Sequence, residues 1–390
     1  MRKFRFAALV GAATAGLLIA AGGGSASTGV VGHVYVNDNT TGVNTVAGFD
    51  RHADGALTPI AGSPFAVGGA GAGHGNASQG SLQLSADGRY LLAVDAGSNQ
   101  ISVLRVKPDG SLQAAEGSPF SSNGVNPVSI AVHGELVYVA NQGPGVNAGD
   151  TNYTGFTLKA GGHLNPLPGS TISLPNNSSP GDVLFNSNGR KFVGTRIASS
   201  EIDSFTVGHN GLLTPAIGSP FAAQAFDPAQ GWGQLGSEFS PTDPDQLFVS
   251  DAHTAAGAGA PGLVSSFSDS GKGVLAPMGG SPVGNDGVAS CWVEISHDGA
   301  YLFVVNTGSA TVSTYTIASD GTLTFLKSTP SGELGKGAED ARLSTDGSTL
   351  WVVEAGTDAV VGFTVHGGSL TPLSSTPGPA GATPTGIVAT

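Results

Sequence analysis

Apolar and polar positions alternate along this chain in short pieces. QISVLRV (100–106), TVSTYTI (311–317) and AVVGFTV (359–365) carry an apolar or β-branched residue at every second position, the period of a strand with one buried face. Between them lie nearly continuous apolar runs, YLLAVD (90–95), LVYVAN (136–141), YLFVVN (301–306) and LWVVEA (350–355), as expected of strands covered on both faces. Ahead of these stand SLQLSADG, VSIAVHG, DVLFNSNG, GSEFSPTD, VEISHDG and ARLSTDG, several of whose Asp-Gly or Asn-Gly endings mark tight hairpins.

A polar turn followed by Gly-x-Leu then recurs seven times, at Gly55, Gly110, Gly162, Gly211, Gly273, Gly321 and Gly368. The intervals run from 47 to 62 residues, the range of propeller blades. The pattern predicts an all-β fold: a seven-bladed β-propeller with four antiparallel strands per blade, named A to D from hub to rim. The first unit begins directly with HVYVND (33–38), a B strand, and PTGIVAT (384–390) is free to supply its missing A strand. The C-terminal strand is therefore expected to complete the first blade and close the ring. GSPF recurs at 62–65, 117–120 and 218–221, with GSPV at 280–283. It falls after strand D, where the chain returns to the hub, and reads as a structural device: glycine for the bend, proline at an edge.

The first 28 residues differ in kind. MRKFR, the apolar run FAALVGAATAGLLIAA (6–21) and GGGSASTG have the order of a secretory signal, with cleavage near Ala26 to Thr28. The expected organisation is thus a signal peptide at 1–28 and one propeller domain at 29–390, secreted, monomeric and without a membrane span once the signal is removed. Cys291 is the only cysteine, so no disulfide forms within the chain and packing must hold the fold. A net charge of -13 with 11% charged residues leaves no basic footprint for nucleic acid.

Function is expected at the end of the disc that carries the B–C and D–A connections, called the top, where the long segments 66–80, 141–153, 222–234 (with Trp232) and 251–262 lie. Of nine histidines only His74 and His253 fall there, so neither a zinc site nor any cofactor is assigned. Aligned hub strands bring Gln83, Glu238, Glu294 and Arg342 to one level and Asp182, Trp292 and Asp340 nearer the top. Two readings follow. Glu294 and Arg342 may be read as a structural pair, or Asp182, Trp292, Glu339, Asp340 and Arg342 as the lining of a polar pocket. Cys291 reads as a buried, inert thiol.

LVYVANQG, YLFVVNTG, the DG-x-L turns and the sevenfold count resemble the lactonase-like propeller family of bacterial 6-phosphogluconolactonases, carboxymuconate cyclases and YVTN-repeat proteins. That resemblance implies hub-strand starts bearing a His, an Arg-His pair and a Glu-Ile-Arg element. Here Asp182 stands where the His is expected, Gly236 where the Arg-His pair would end and Trp292 near the Glu. AEDARLS (338–344) echoes the acidic-plus-Arg element one blade later. The reading carried forward is a secreted propeller with no or weak catalysis that binds a small molecule, glycan or protein at the channel mouth of its top face. Its alternative is a divergent lactone hydrolase or muconate-type cyclase using Asp182, His253, Asp340 and Arg342, with Gln83, Trp232, Glu238, Trp292, Glu294 and Glu339 around the ligand.

Overall fold

The computed structural model describes residues 29–75, 78–144, 147, 149–222, 232–253, 261–330, 337–379 and 381–390. Residues 1–28, expected to be a signal peptide, lie outside them. Seven antiparallel sheets are built in chain order. The hub strands of blades 2 to 7 are Leu82–Leu84, Pro127–His133, Pro180–Phe185, Trp232–Phe239, Ser290–Ile295 and Ala338–Leu343. The hub strand of blade 1 is Gly386–Ala389, which pairs antiparallel with Val30–Asn37 in the register Val34↔Ala389 to Asn37↔Gly386. The tail therefore closes the ring, as the orphan B strand at the head requires.

Alternation explains the core. The second strands, such as Tyr90–Asp95 and Thr349–Glu354, are buried at every position because each blade is covered by a neighbour on both faces. The interior divides into separate apolar clusters, most of them spanning adjoining blades. Ile130, Val137 and Val139 of blade 3 pack with Leu92, Val94 and Val103 of blade 2, and Trp351 and Val353 of blade 7 with Val34 and Phe49 of blade 1.

The rim departs from the four-strand expectation. Six of the seven sheets carry a fifth, short strand that pairs back on strand C. In blade 1 the rim is Leu57–Pro59 opposite Phe49–Arg51, then Phe65–Ala66 opposite Thr45–Val46. The rim strand is thus split, and GSPF spans the split. Where the rim loops away, the mid-strand N–H of strand C loses its ladder partner, and the motif serine replaces it. Ser63 Oγ accepts from Gly48 N at 2.8 Å, Ser118 from Val103 N at 2.9 Å and Ser219 from Ser204 N at 2.9 Å. Ser170 and Ser281 do the same in blades 3 and 5. The preceding glycine is obligatory, because Gly62, Gly117 and Gly218 have φ of 88°, 82° and 90°.

Ser118→Ala is expected to cost about 1–2 kcal/mol, the loss of a partner for a buried N–H. The half-buried turn substitution Ser111→Ala, which removes one hydrogen bond to the exposed Asp109, should stay within about 0.5 kcal/mol. Urea melts of both variants check this, and equal midpoints would remove the latch role.

Candidate functional site

Hub strands of neighbouring blades diverge too far for a continuous ladder, so their facing N–H groups need other partners. Side chains provide them in sequence around the ring. Ser129 Oγ accepts from Val183 N at 3.1 Å. Asp182 Oδ2 accepts from Ser237 N at 2.9 Å and Ser237 Oγ at 2.7 Å, while Oδ1 accepts from Ser129 Oγ at 3.1 Å. The Glu238 carboxyl takes the N–H of Ile295, and Glu294 Oε1 takes that of Leu343 at 2.8 Å. Asp340 Oδ2 accepts from Gly80 N at 3.3 Å. The first four positions latch blades 3 to 7 in turn, and Asp340 of blade 7 reaches the entry to blade 2.

Register shifts at one end of the hub strands aim them inward. The ladder skips a residue between Pro127 and Ser129, Pro180 and Asp182, and Ser290 and Trp292. Wider irregularities fall between Gln234 and Ser237 and between Ala338 and Ala341. Such bulges re-aim side chains, which is how a carboxylate at the head of an extended strand comes to face the next blade.

Arg342 sits among these carboxyls. Its Nη1 lies 3.2 Å from Glu294 Oε2, the interblade pair expected from the hub alignment. Burial works against the guanidinium charge, but Glu294, Asp340, Glu238 and Asp182 together hold its pKa up. Four carboxyls around one cation cannot all ionise cheaply out of water. Desolvation, with Asp340 adding to it, pushes Asp182 up to about 7 against its hydrogen bonds. Desolvation also pushes Asp340 up to about 6, although Arg342 pulls it down. Glu238 is raised by burial and then by Glu294, and Glu294 by burial.

Residues 78–80, leading into blade 2, cross this ring. Ser78 O accepts from Trp292 Nε1 at 2.7 Å. Gln79 N donates to Gly181 O at 3.0 Å. Its side-chain Nε2 donates to Ser237 O and Val293 O, both at 3.2 Å, and its Oε1 accepts from Val293 N at 3.0 Å. Gly80 O accepts from Ile130 N at 2.9 Å. Three residues thus touch blades 3, 4, 5, 6 and 7, and both Ser78 and Gln79 are buried. They form a strap across the top of the channel.

The strap accounts for two features of the sequence. A Cβ on Gly236 would stand 2.2 Å from Gln79 Oε1 and 2.6 Å from Cys291 O, so the position that the family resemblance gives to a large cationic side chain is filled by Gln79. The glycine-rich run before the strap is threaded tightly: a Cβ on Gly71 would lie 2.2 Å from the Asn39 carbonyl carbon. Gln79 was not legible as a site residue, because its partners come from three distant blades. The crowding of glycines at 68–75 was the one local signal.

The remaining expected residues fall as follows. Trp292 is buried with its indole committed to the strap. Gln83 lies below Gly80, whose Cβ would meet Gln83 Nε2 at 2.9 Å. Glu339 is 8% exposed, its Oε2 has no partner among the described residues, and burial followed by Asp340 raises its pKa well above the usual range. Cys291 is buried and its thiol pushed up to about 12, mainly by desolvation. Trp232 and His253 pair at the top ends of strands A and B of blade 5, and their side chains lie outside the described residues. Among the described residues no group of three or more His, Cys, Asp or Glu could hold a metal ion, and no helix is long and apolar enough to cross a membrane.

The sevenfold ring with a tail-closed first blade matches a described sequence family. Residues 43–148 and 241–388 fit the family "Lactonase, 7-bladed beta-propeller". The chain belongs to that family. The unmatched stretch carries Asp182 and Glu238, whereas Glu294, Asp340 and Arg342 lie within the match. Among solved structures, a protein from Lactobacillus plantarum superposes with a TM-score of 0.71 at 18% identity, covering 92% of this chain and 99% of that one. A putative 6-phosphogluconolactonase from Bacteroides fragilis gives 0.69 at 18%, covering 93% and 99%. The periplasmic gluconolactonase PpgL of Pseudomonas aeruginosa gives 0.69 at 18%, covering 92% and 98%. At such identities the likeness is one of fold. No curated protein sequence matches the chain.

Proposed function

We propose that this propeller is an exported binding protein with no or weak catalysis, taking a small molecule, glycan or protein on its top-face loops. The observation that carries the reading is the strap. Residues 78–80 occupy the channel mouth and use up polar groups of Trp292, Asp340 and Val293, while Asp182 is saturated by Ser129 and Ser237. A substrate or ligand at the channel mouth, where the hub alignment places it, would find these groups already engaged, which moves the binding surface to the loops around the mouth. The basic, apolar and small-residue order of residues 1–28 supports export.

One observation favours the hydrolase or cyclase instead. Asp182 and Asp340 titrate near 7 and 6 beside Arg342, the range of a general base at neutral pH with a cation to anchor an anion. The two readings separate on a panel of aldonolactones, 6-phosphogluconolactone and muconolactones, with and without chelator. The binding reading expects turnover no faster than buffer in the parent and in Gln79→Ala. Saturable turnover that rises about 10-fold or more in Gln79→Ala and is lost in Asp182→Asn overturns it in favour of the enzyme.

A further inference from the structure

We propose that the opposite, bottom face carries a binding groove for an acidic polysaccharide, running between blades 2 and 3 over Tyr90. The bottom is the end bearing the A–B and C–D turns, away from the strap and from every residue of the channel mouth.

Cations are scarce in this acidic chain, so their placement is informative. Among the described residues Arg51, Lys191, Arg196 and Arg342 are held in ion pairs with mostly buried side chains. Seven others reach solvent: Arg89, Arg105, Lys107, Lys159, Arg190, Lys272 and Lys327. The first four gather on two adjoining grooves. One, of about 280 Å³, is lined by Ser85, Asp87, Arg89, Tyr90, Glu135 and Lys159. The other, of about 290 Å³, is lined by Arg89, Tyr90, Arg105 and Lys107. Arg89 and Tyr90 belong to both, so the two form one trough.

The floor is fixed. Tyr90 is 5% exposed, its hydroxyl accepts from Gly161 N at 2.9 Å, and the Arg105 guanidinium stands 5.9 Å from its ring centroid. The walls remain adaptable. Arg89 pairs with Asp87 at 2.6 Å and Lys159 with Glu135 at 2.8 Å, with all four side chains about half exposed or more. Surface pairs of this kind contribute about 0–1 kcal/mol and yield to a better partner. No carboxylate lies within ion-pair distance of Arg105 or Lys107 among the described residues.

The lining selects among anions. Asp87 and Glu135 on the walls repel a dense polyanion such as polyphosphate or nucleic acid, while serving as acceptors for hydroxyl groups. Leu158 on the wall is buried, so its side chain offers little surface to an apolar peptide residue. An alternation of cationic donors with carboxylate and hydroxyl acceptors suits a chain of sugars bearing spaced carboxylate or sulfate groups.

The test uses oligogalacturonate and a sulfated dextran as probes, with neutral maltooligosaccharide, polyphosphate and poly-glutamate as comparators, measured by calorimetry at low ionic strength. Both acidic glycans are expected to bind, and the affinity should fall about 10-fold or more in R105E/K107E. The remote double variant K272E/K327E, with the same charge change, should lose less than about 2-fold. Binding of only one glycan assigns the groove to carboxylate or to sulfate. No binding by either, an equal loss in the two double variants, or equal or tighter binding of polyphosphate or poly-glutamate overturns the proposal. Should R105E/K107E fail to fold, acetylation of the wild-type chain decides: the glycan must protect Lys107 and Lys159 but not Lys272 and Lys327.

Discussion

Removing residues 384–390 is expected to abolish cooperative folding. Ile387 is 0% and Val388 4% exposed; burying two such side chains contributes about 3–6 kcal/mol. Four of the seven, Gly386–Ala389, form the hub ladder of blade 1. The tail also holds a set of latches: Thr390 Oγ1 accepts from His33 N at 2.8 Å, and Arg51 Nε donates to the Thr390 carbonyl at 3.1 Å. Arg51 extends to Asp346 of blade 7 at 3.0 Å, so the tail fixes blade 1 and, through Arg51, its seam with blade 7. A domain's whole stability is about 5–15 kcal/mol, and the loss also bares Val34–Asn37 as an open edge. The truncated chain should show no sharp thermal transition by circular dichroism and should elute as aggregate. A melting temperature within about 3 °C of the full chain would mean the closure is not needed. A finer probe is Gly32→Val, since even a Cβ there would lie 2.0 Å from the Thr390 carbonyl oxygen. It should weaken closure while leaving the tail in place.

How much of this was legible in the sequence depends on the range of the contacts involved. Strand periodicity and the Gly-x-Leu turns are local, and they gave the blade count; an orphan B strand at the head and an unclaimed apolar strand at the tail then gave the closure. The rim was half legible. GSPF was placed at the outer edge, but the split strand and the serine that replaces a missing ladder partner depend on a residue 15 positions earlier, such as Gly48 for Ser63. The hub alignment found Asp182, Glu238, Glu294, Asp340 and Arg342 and the two neighbouring levels they occupy. It could not tell a pocket from a ring of latches, because that choice is made by the backbone N–H of the next blade. Gln79 was beyond reach: its side-chain partners at Ser237 and Val293 lie 158 and 214 residues away, and the crowded glycines at 68–75 hint at a close path without showing what the chain crosses.

The buried carboxyls make a prediction about pH that runs against the usual loss of stability in acid. Melting temperature should peak near pH 4 and fall by about 5 °C or more by pH 8. Desolvation pushes Asp38, Asp182 and Glu354 up to about 7. It pushes Asp95, Asp251, Asp269 and Asp340 up to about 6. In an unfolded chain such groups titrate near 3.9 to 4.3. Between about pH 4 and 7 the native state therefore holds protons that the unfolded state has released, so stability falls as pH rises. The contribution is complete below the unfolded values and is lost as pH passes through 6 to 7. Carboxyls of the opposite sign set the acid limit. Asp87 is lowered to about 2 by Ser85 and Arg89, and Asp346 is lowered by Ser344, Ser348 and Arg51 against its own desolvation. Their contribution is present above about 4 and lost below it. Asp87 is exposed and counts for little. Seven buried groups on one side outweigh these, and even two of them retaining one unit each give about 3 kcal/mol. Asp182→Asn and Asp38→Asn remove the proton exchange while keeping the shape. The double variant should make the pH profile between 5 and 8 shallower, and a profile as steep as the parent's would show that these two carboxyls do not contribute to it.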